Sequence, residues 1–511
     1  MSQSGHSQLV PNVFASALAF AVAVGIGFIM PRVIYESVGP VPLGLWDVGW
    51  SFLVYVTFSG IGLGPAVAHY VADRFSRAKL DAVSEVCATG FWLQLVFALG
   101  LAVTFVIGIV FISESMEVLE TRNTVSLAQI GVYLGFAIGF VALGDFAHGV
   151  LLGTHKARVA EAINIAHDLV LAVSMVVVLI NGYGIVGLAA ATALLRFVTE
   201  GGRLWYTAVH CDEFSLRPRH FRVSTAKKLV GFGVKTSAAV FQELLVYQVA
   251  RLILFFNAGP LALAAFSRYA TLARQINRMI DRLSISVPAL TSGLLAEGDD
   301  RRIRELYVNA LQASMMITLP ALAIFCVFGD AIINLWMGSE FVITNVSWVF
   351  AGGVLMHASY AICHRTLSGL NAHGRITLFC LFISGLVLLL VLLFTTPQTP
   401  YAAAWMIMGT MVVTVHMPYL IFASRKLSVS LAEIIVSAYG KPLLVNGLFL
   451  GTLVISSNEL SSGHPIASMV VAGTSIAGLV ASYWYFVMSA DGKRFIRQLR
   501  YSRLGAPEAS G

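Results

Sequence analysis

Charged side chains are scarce in this chain. They make up 12% of its 511 residues, against 58% hydrophobic residues and a mean hydropathy of +0.81. A soluble domain carries roughly twice that share of charge, so water is excluded as the main solvent and lipid is implied. Cysteine is also rare. Cys87, Cys211, Cys326, Cys363 and Cys380 show neither a CxxC pair nor a His-paired spacing, which argues against a zinc or dithiol site and leaves them as packing residues. No metal or other cofactor is expected. Residues 1–10 contain no Lys or Arg, so no cleavable signal is expected. The apolar runs are too long for the ~10-residue alternating strands of a β-barrel. The formal charge of +7 is scattered over several loops rather than gathered in one domain, which argues for membrane lipids and against nucleic acid as a partner.

What the chain does have is a ladder of apolar segments. About fourteen approach or exceed the roughly 20 residues a helix needs to cross the hydrocarbon layer. They run near 12–30, 42–64, 86–112, 125–149, 161–180, 184–206, 234–256, 262–284, 306–329, 343–364, 376–395, 401–423, 440–456 and 466–489. The expected fold class is therefore an all-α polytopic membrane protein with about 14 transmembrane helices. About two dozen basic residues, among them Arg74, Lys156, Arg222, Arg301, Arg375 and Lys441, fall on one side of this ladder, with only Arg32 and Arg122 opposite. That asymmetry marks the basic side as cytoplasmic and puts both termini there. The outer connections are short, and the longest, Ser113 to Thr124, is acidic.

Shifting the chain by about 220 residues lays Gly39-Pro40-Val41-Pro42-Leu43 on Gly259-Pro260-Leu261-Ala262-Leu263, and Trp46 on Phe266. Arg32 then falls within one residue of Arg251. Spans one to six and seven to twelve read as two copies of one bundle, pseudo-symmetric lobes related by an axis along the membrane normal. The expected organisation is an N-lobe over 1–210, a cytoplasmic linker over 211–233, a C-lobe over 234–426, two extra spans over 427–490, and a basic cytoplasmic tail over 491–511.

A second group of basic residues lies inside expected spans: Arg196, Lys235, Arg251, Arg268, Arg274, Arg278 and Arg282. Each costs roughly 2.5 to 3.5 kcal/mol at mid-bilayer and so needs a wet cavity or a partner. Thr236, Glu243, Tyr247 and Arg251 share one face of span seven, and Arg268, Thr271, Gln275, Arg278 and Arg282 one face of span eight. Two such stripes would line a cationic cleft between the lobes. Lys235, Arg278 and Arg282 are near enough to the inner end to snorkel to headgroups instead. Arg251 and Arg268, roughly 9 Å below the outer surface, are too deep for that. Glu243 and Asp47 are candidates for charge balance or for carrying a coupling proton, while Tyr247 and Gln275 would line the cavity. A coupling H+ or Na+ is left open. Arg32 can pair with Glu36 or Asp47. Asp145 and Asp168 can cap, or pair with Lys156 and Arg158, and His148, His167, His357 and His364 read as packing residues. No catalytic constellation is present, so no enzyme is expected.

The runs Pro31-Arg32, Val38-Gly39-Pro40, Gly44-Leu45-Trp46 and Gly60-Ile61-Gly62-Leu63-Gly64 resemble the polysaccharide transporter family, the Wzx-type flippases of the MOP superfamily. Leu151-Leu152-Gly153 with Asn164, and Leu335-Trp336-Met337-Gly338, are similar to further motifs of that family. One departure stands out: many members carry an acid just before the Gly-Leu of span two, where this chain has Gly60 and Ile61. The resemblance implies a V-shaped pair of six-helix lobes in a bacterial cytoplasmic (inner) membrane. It also implies alternating access for an undecaprenyl-pyrophosphate-linked oligosaccharide used in O-antigen, exopolysaccharide or capsule synthesis, with a polysaccharide polymerase and a chain-length regulator as partners. Arg32, Arg251, Arg268 and Arg274 are the expected pyrophosphate contacts, since guanidinium stays protonated and meets phosphate with planar, charge-assisted donors. A MATE-type cation-coupled drug exporter and a peptidoglycan-lipid flippase share this outline and remain alternatives. A polytopic polymerase or acyltransferase would need a large outer loop or a polar catalytic group, and the chain offers neither.

Overall fold

The computed structural model describes residues 22, 24–59, 62–76, 80–117, 124–211, 214, 216–394, 399–461 and 465–483. Among them the regular structure is helical, with no strand. Most of the amino-terminal span, the break at Gly60 and Ile61, Arg122, the basic tail and the side chains of Lys235 and Glu243 lie outside what is described.

Helix α1 covers 24–38, followed by α2 (Pro40–Ser59), α3 (Leu63–Ser76), α4 (Leu80–Glu117), α5 (Thr124–Gly153), α6 (Ala157–Ile180) and α7 (Gly184–His210). Next come α8 (Val223–Leu283), α9 (Val287–Glu297), α10 (Asp300–Met337), α11 (Val346–Gly369) and α12 (His373–Phe394). The chain then forms α13 (Pro400–Met411), a π-helical turn at Val412–His416, α14 (Met417–Leu427) and α15 (Leu431–Glu433). A second π-helical segment at Ile434–Gly440 leads into α16 (Lys441–Ser461) and α17 (Pro465–Ser482). Ten helices among the described residues are long and apolar enough to cross a membrane. The chain is a multi-pass, all-α membrane protein.

Several expected boundaries move, each for a local reason. The span placed at 42–64 is two helices, because Gly62 takes a positive φ of 59° between α2 and α3. The linker placed at 211–233 ends at Arg222, where α8 begins, and it is tied down: Trp92 donates to the Leu216 carbonyl (3.0 Å) and the Arg222 amide to Thr89 Oγ1 (3.1 Å). The spans placed at 234–256 and 262–284 form one helical run. Its apolar part, Val246–Arg282, would be about 56 Å long if straight, far more than one crossing needs. Gly259 divides it with φ 83° and ψ 177°, and Pro260 then starts the second arm, where a missing N–H is harmless. Helix α9, after α8, has no counterpart among the expected spans.

Gly39, the repeat partner of Gly259, has φ 86° and likewise precedes a proline at a helix start. Leu43, Leu263, Trp46 and Phe266, matched by the shift of about 220 residues, are all buried. A Cβ on Gly44 would overlap the backbone carbonyl of Pro260, so the two kinks touch through a residue that must be glycine.

By contacts the chain divides into two compact units. One comprises the described residues through Ser267 with Leu388–Ala403, the other Arg268–Val387 with Ala404 onward. In the first, α5 is the central helix, burying Leu134, Ile138, Val141 and Phe146 against α2, α3, α4 and α7. In the second, α10 packs on α11 and α16, and Ala323, Phe449, Leu453 and Leu479 form a core at the α16–α17 end. All five cysteines are free thiols, four of them buried.

Candidate functional site: buried arginines on a kinked helix

Arg251 lies eight residues before Gly259 and Arg268 nine after it, about 12 and 13.5 Å along their respective arms. Arg251 is 4% exposed and Arg268 2% exposed, so neither guanidinium faces acyl chains. Both engage protein partners. Arg268 places its guanidinium carbon 5.9 Å from the ring centre of Trp336, the tryptophan of the Leu335-Trp336-Met337-Gly338 motif. The neighbouring Tyr269 fixes this arm against α10 and the chain after it: its hydroxyl donates to Asp330 Oδ1 (2.8 Å) and accepts from the Ile343 amide (3.1 Å).

Further along α8, Arg274 is half-buried with Nη2 3.4 Å from Thr271 Oγ1, and Gln275 is half-buried and accepts from Arg278 (3.5 Å). Arg278 and Arg282 are exposed near the end of the helix, as expected of residues that can snorkel. In the first unit, Asp47 and Tyr247 are half-buried. Arg32 is a partly exposed residue whose Nε bonds Glu36 Oε1 at 2.6 Å, one turn on, with its guanidinium carbon 5.7 Å from the Tyr35 ring centre. Arg32, Asp47, Tyr247 and Arg251 thus belong to the first unit, and Arg268, Arg274 and Gln275 to the second.

Arg196, counted above among the intramembrane cations, is held in a network of its own. Glu200 is 4% exposed and bridges Arg196 (3.2 Å) and Arg203 (2.8 Å), and Arg203 also donates to Asn164 Oδ1 (2.6 Å). Removing one member of such a buried set costs about 3–5 kcal/mol, since the others lose their counter-charge. The signal was readable: Arg196, Glu200 and Arg203 recur at intervals of four and three, on one helix face. Lys156 does not seek Asp145. It donates to the His210 carbonyl and to Cys211 Sγ (3.5 Å), fastening α6 to the end of α7. Asp145 instead packs over Gly64, and Gly149 abuts the Gly64 carbonyl, so Gly64 of the motif marks where α3 and α5 touch.

Comparison with known proteins gives a consistent picture. A family profile described as "Polysaccharide biosynthesis protein" matches residues 70–344, more than half of the chain. Among solved structures, an inward-facing multidrug resistance MATE transporter of the MOP superfamily aligns with a TM-score of 0.64 at 17% identity, over 80% of this chain and 94% of that one. A MOP superfamily transporter from Pyrococcus furiosus, described as having a binding pocket of reversed polarity, aligns with a TM-score of 0.60 at 15% identity, over 81% and 94%. An outward-facing MATE transporter gives 0.57 at 15% identity, over 81% and 94%. No curated relative matches it in sequence. These likenesses at low identity establish the fold, and the profile match establishes the family: the chain belongs to the polysaccharide biosynthesis protein family and has the fold of the MOP superfamily transporters.

Proposed function

We propose that this protein is a flippase that carries a polyprenyl-pyrophosphate-linked oligosaccharide from the cytoplasmic to the outer leaflet of a bacterial inner membrane, with both termini cytoplasmic and a glycan polymerase and chain-length regulator acting downstream. The observation that carries the reading is the burial of Arg251 and Arg268 on the two arms of α8, within its apolar part Val246–Arg282, in a chain of the polysaccharide biosynthesis family. A pyrophosphate headgroup must shed its water to cross, and guanidinium groups replace that water with charge-assisted donors that keep their charge. Arg274 and Arg32 would add further donors, Arg32 the less because Glu36 already holds it. Glu243 and Asp47 would balance charge, and Tyr247 and Gln275 would meet the sugar. Transport follows when the headgroup binds two conformations with different affinity, since a ligand shifts an equilibrium only by that difference.

The test is replacement of Arg251 and Arg268 together by Ala. The protein should still insert, while lipid-linked glycan accumulates in the inner leaflet and surface glycan is lost; unchanged surface glycan would refute the assignment. The MATE-type fold makes drug export the competing reading, and cation-driven efflux of a cationic dye from vesicles would favour it.

A further inference from the structure

The second unit contains a chain of titratable side chains that the proposed transport site does not use. Asp281, two residues before the end of α8, has a side chain 43% exposed, and its Oδ1 is 3.5 Å from Nε2 of His357, whose side chain is 8% exposed. The His357 ring stands edge-on to that of His416, with centroids 6.3 Å apart. Tyr360 lies 5.8 Å from His357, 5.6 Å from His416 and 5.7 Å from His364. His364 continues the line to His373 at 5.8 Å, and its Nδ1 is 3.3 Å from the Tyr419 hydroxyl, which also meets Thr377 at 2.5 Å. The line therefore has two outer ends, Asp281 near the end of α8 and the half-buried His373 at the start of α12.

His416 is its innermost member. It lies 11 residues before the end of α14 at Leu427, about 16 Å along the helix, and is 4% exposed. Neither of its ring nitrogens has a hydrogen-bond partner among the described residues. A buried imidazole normally satisfies at least one nitrogen, so this ring calls for a role. Its backbone is the second anomaly: His416 closes the π-helical turn Val412–His416, and such turns interrupt otherwise regular helices mostly where function needs a side chain re-aimed. Ser384 and Thr414 bond each other at 2.6 Å beside the same turn, which accounts for the polar atoms there other than the histidine.

We propose that Asp281, His357 and His416 form a proton-binding site entered from one face of the membrane, and that its occupancy sets the conformational balance of the second unit; the coupling half of this rests on the transport reading above. A proton from water is taken up by the Asp281 carboxylate and passes to His357 Nε2, restoring the carboxylate. It then moves to His416 directly after a ring rotation or through one water, leaving an imidazolium and a net gain of one positive charge. That charge has no acceptor at His416 among the described residues. The protonated form therefore favours a state in which water or a carboxylate reaches the ring. The other titratable or charged groups around the line are Arg365 and Cys363 on α11, Cys380 on α12, Tyr307 on α10 and Tyr439 in the second π segment. Of these, Arg365 carries a fixed positive charge that acts on Asp281.

Hydrogen exchange at the imidazole C2 position, followed by mass spectrometry on the full chain in vesicles from about pH 5 to pH 9, reads each histidine separately and needs no cargo. Asp281→Asn and His357→Gln should each move the pH dependence of exchange at His416 by about half a pH unit or more. A His416 profile that Asp281→Asn leaves unmoved overturns the site. Asp281→Asn is nearly isosteric at a half-buried position, so the native His416 remains readable even if His416→Gln does not fold. Surface glycan export should vary with pH in the wild type and lose that dependence in Asp281→Asn; export indifferent to pH in both overturns the coupling. Failure of the transport reading itself would appear in the arginine double variant, not in the histidine profiles.

Discussion

Gly39 and Gly259 turn the chain with nearly the same φ, 86° and 83°, each just ahead of a proline, yet the arms they join carry charge differently. Before the first kink, Arg32 is partly exposed and spends its guanidinium on Glu36 one turn away. Before the second, Arg251 is buried. After the kinks the contrast is sharper, because Val48 and Arg268 are equivalent under the shift of about 220 residues and are 5% and 2% exposed. One copy fills that interior position with a methyl-bearing side chain and the other with a cation. A repeat that serves only to shape a bundle has no reason to bury guanidinium in one copy, at several kcal/mol each, and spare the other. The backbone device is shared, while the buried guanidinium groups at these matched positions are on α8 alone.

The comparison gives an ordered set of expectations. The largest effect should come from charge on α8: Arg251→Ala and Arg268→Ala, singly, should each lower glycan export about tenfold or more, the size of one lost charge-assisted contact of about 1.5–3 kcal/mol, whereas Arg32→Ala should lower it less than about threefold. Quantifying surface glycan against membrane-inserted protein checks this, and equal losses at all three would erase the distinction between the kinks. Next, Gly44→Val should abolish or strongly reduce folded protein, since its Cβ meets backbone rather than a side chain that could rotate away; a cost of about 3 kcal/mol or more is expected in thermal unfolding. Gly39→Ala and Gly259→Ala come third. A Cβ meets nothing within 4 Å at either glycine, so only the positive φ is at issue, and each should cost about 1–2 kcal/mol by the same measurement. Unequal losses would mean that the kinks are not the same device. Smallest is Glu36→Gln, which removes a half-exposed ion pair and should change stability by less than about 1 kcal/mol.

The spans and the kinks were legible because both are local. Hydropathy registers the transfer of about 20 residues into lipid, and Gly-Pro at a helix start has few conformations, so an offset match of two such dipeptides anticipated two matching dihedrals. Hydropathy could not show that α4 and α10 each run 38 residues, past the apolar stretch, because polar residues such as Asp81 and Asp300 extend a helix as well as end one. Nor could it place α9 or the π-helical turns, which depend on neighbours. Arg251 and Arg268 were picked out as too deep to snorkel, and they are buried. Arg196, one of the intramembrane cations that need a wet cavity or a partner, has its partner in Glu200, one turn on. The histidines show what depends on tertiary packing. Singly, His357 and His364 read as packing, and only the fold brings Asp281, His416 and His373 to them from three other helices.

The most direct measurement is transbilayer movement in a minimal system. Purified protein is reconstituted into vesicles with a labelled polyprenyl-pyrophosphate oligosaccharide, and the labelled lipid's accessibility to an external glycan-cleaving enzyme is followed over time. Wild-type protein should speed exchange between leaflets, the Arg251→Ala, Arg268→Ala double variant should fall to the rate of protein-free vesicles, and the double Lys variant should recover only part. Exchange by the double Ala variant at the wild-type rate would contradict the account.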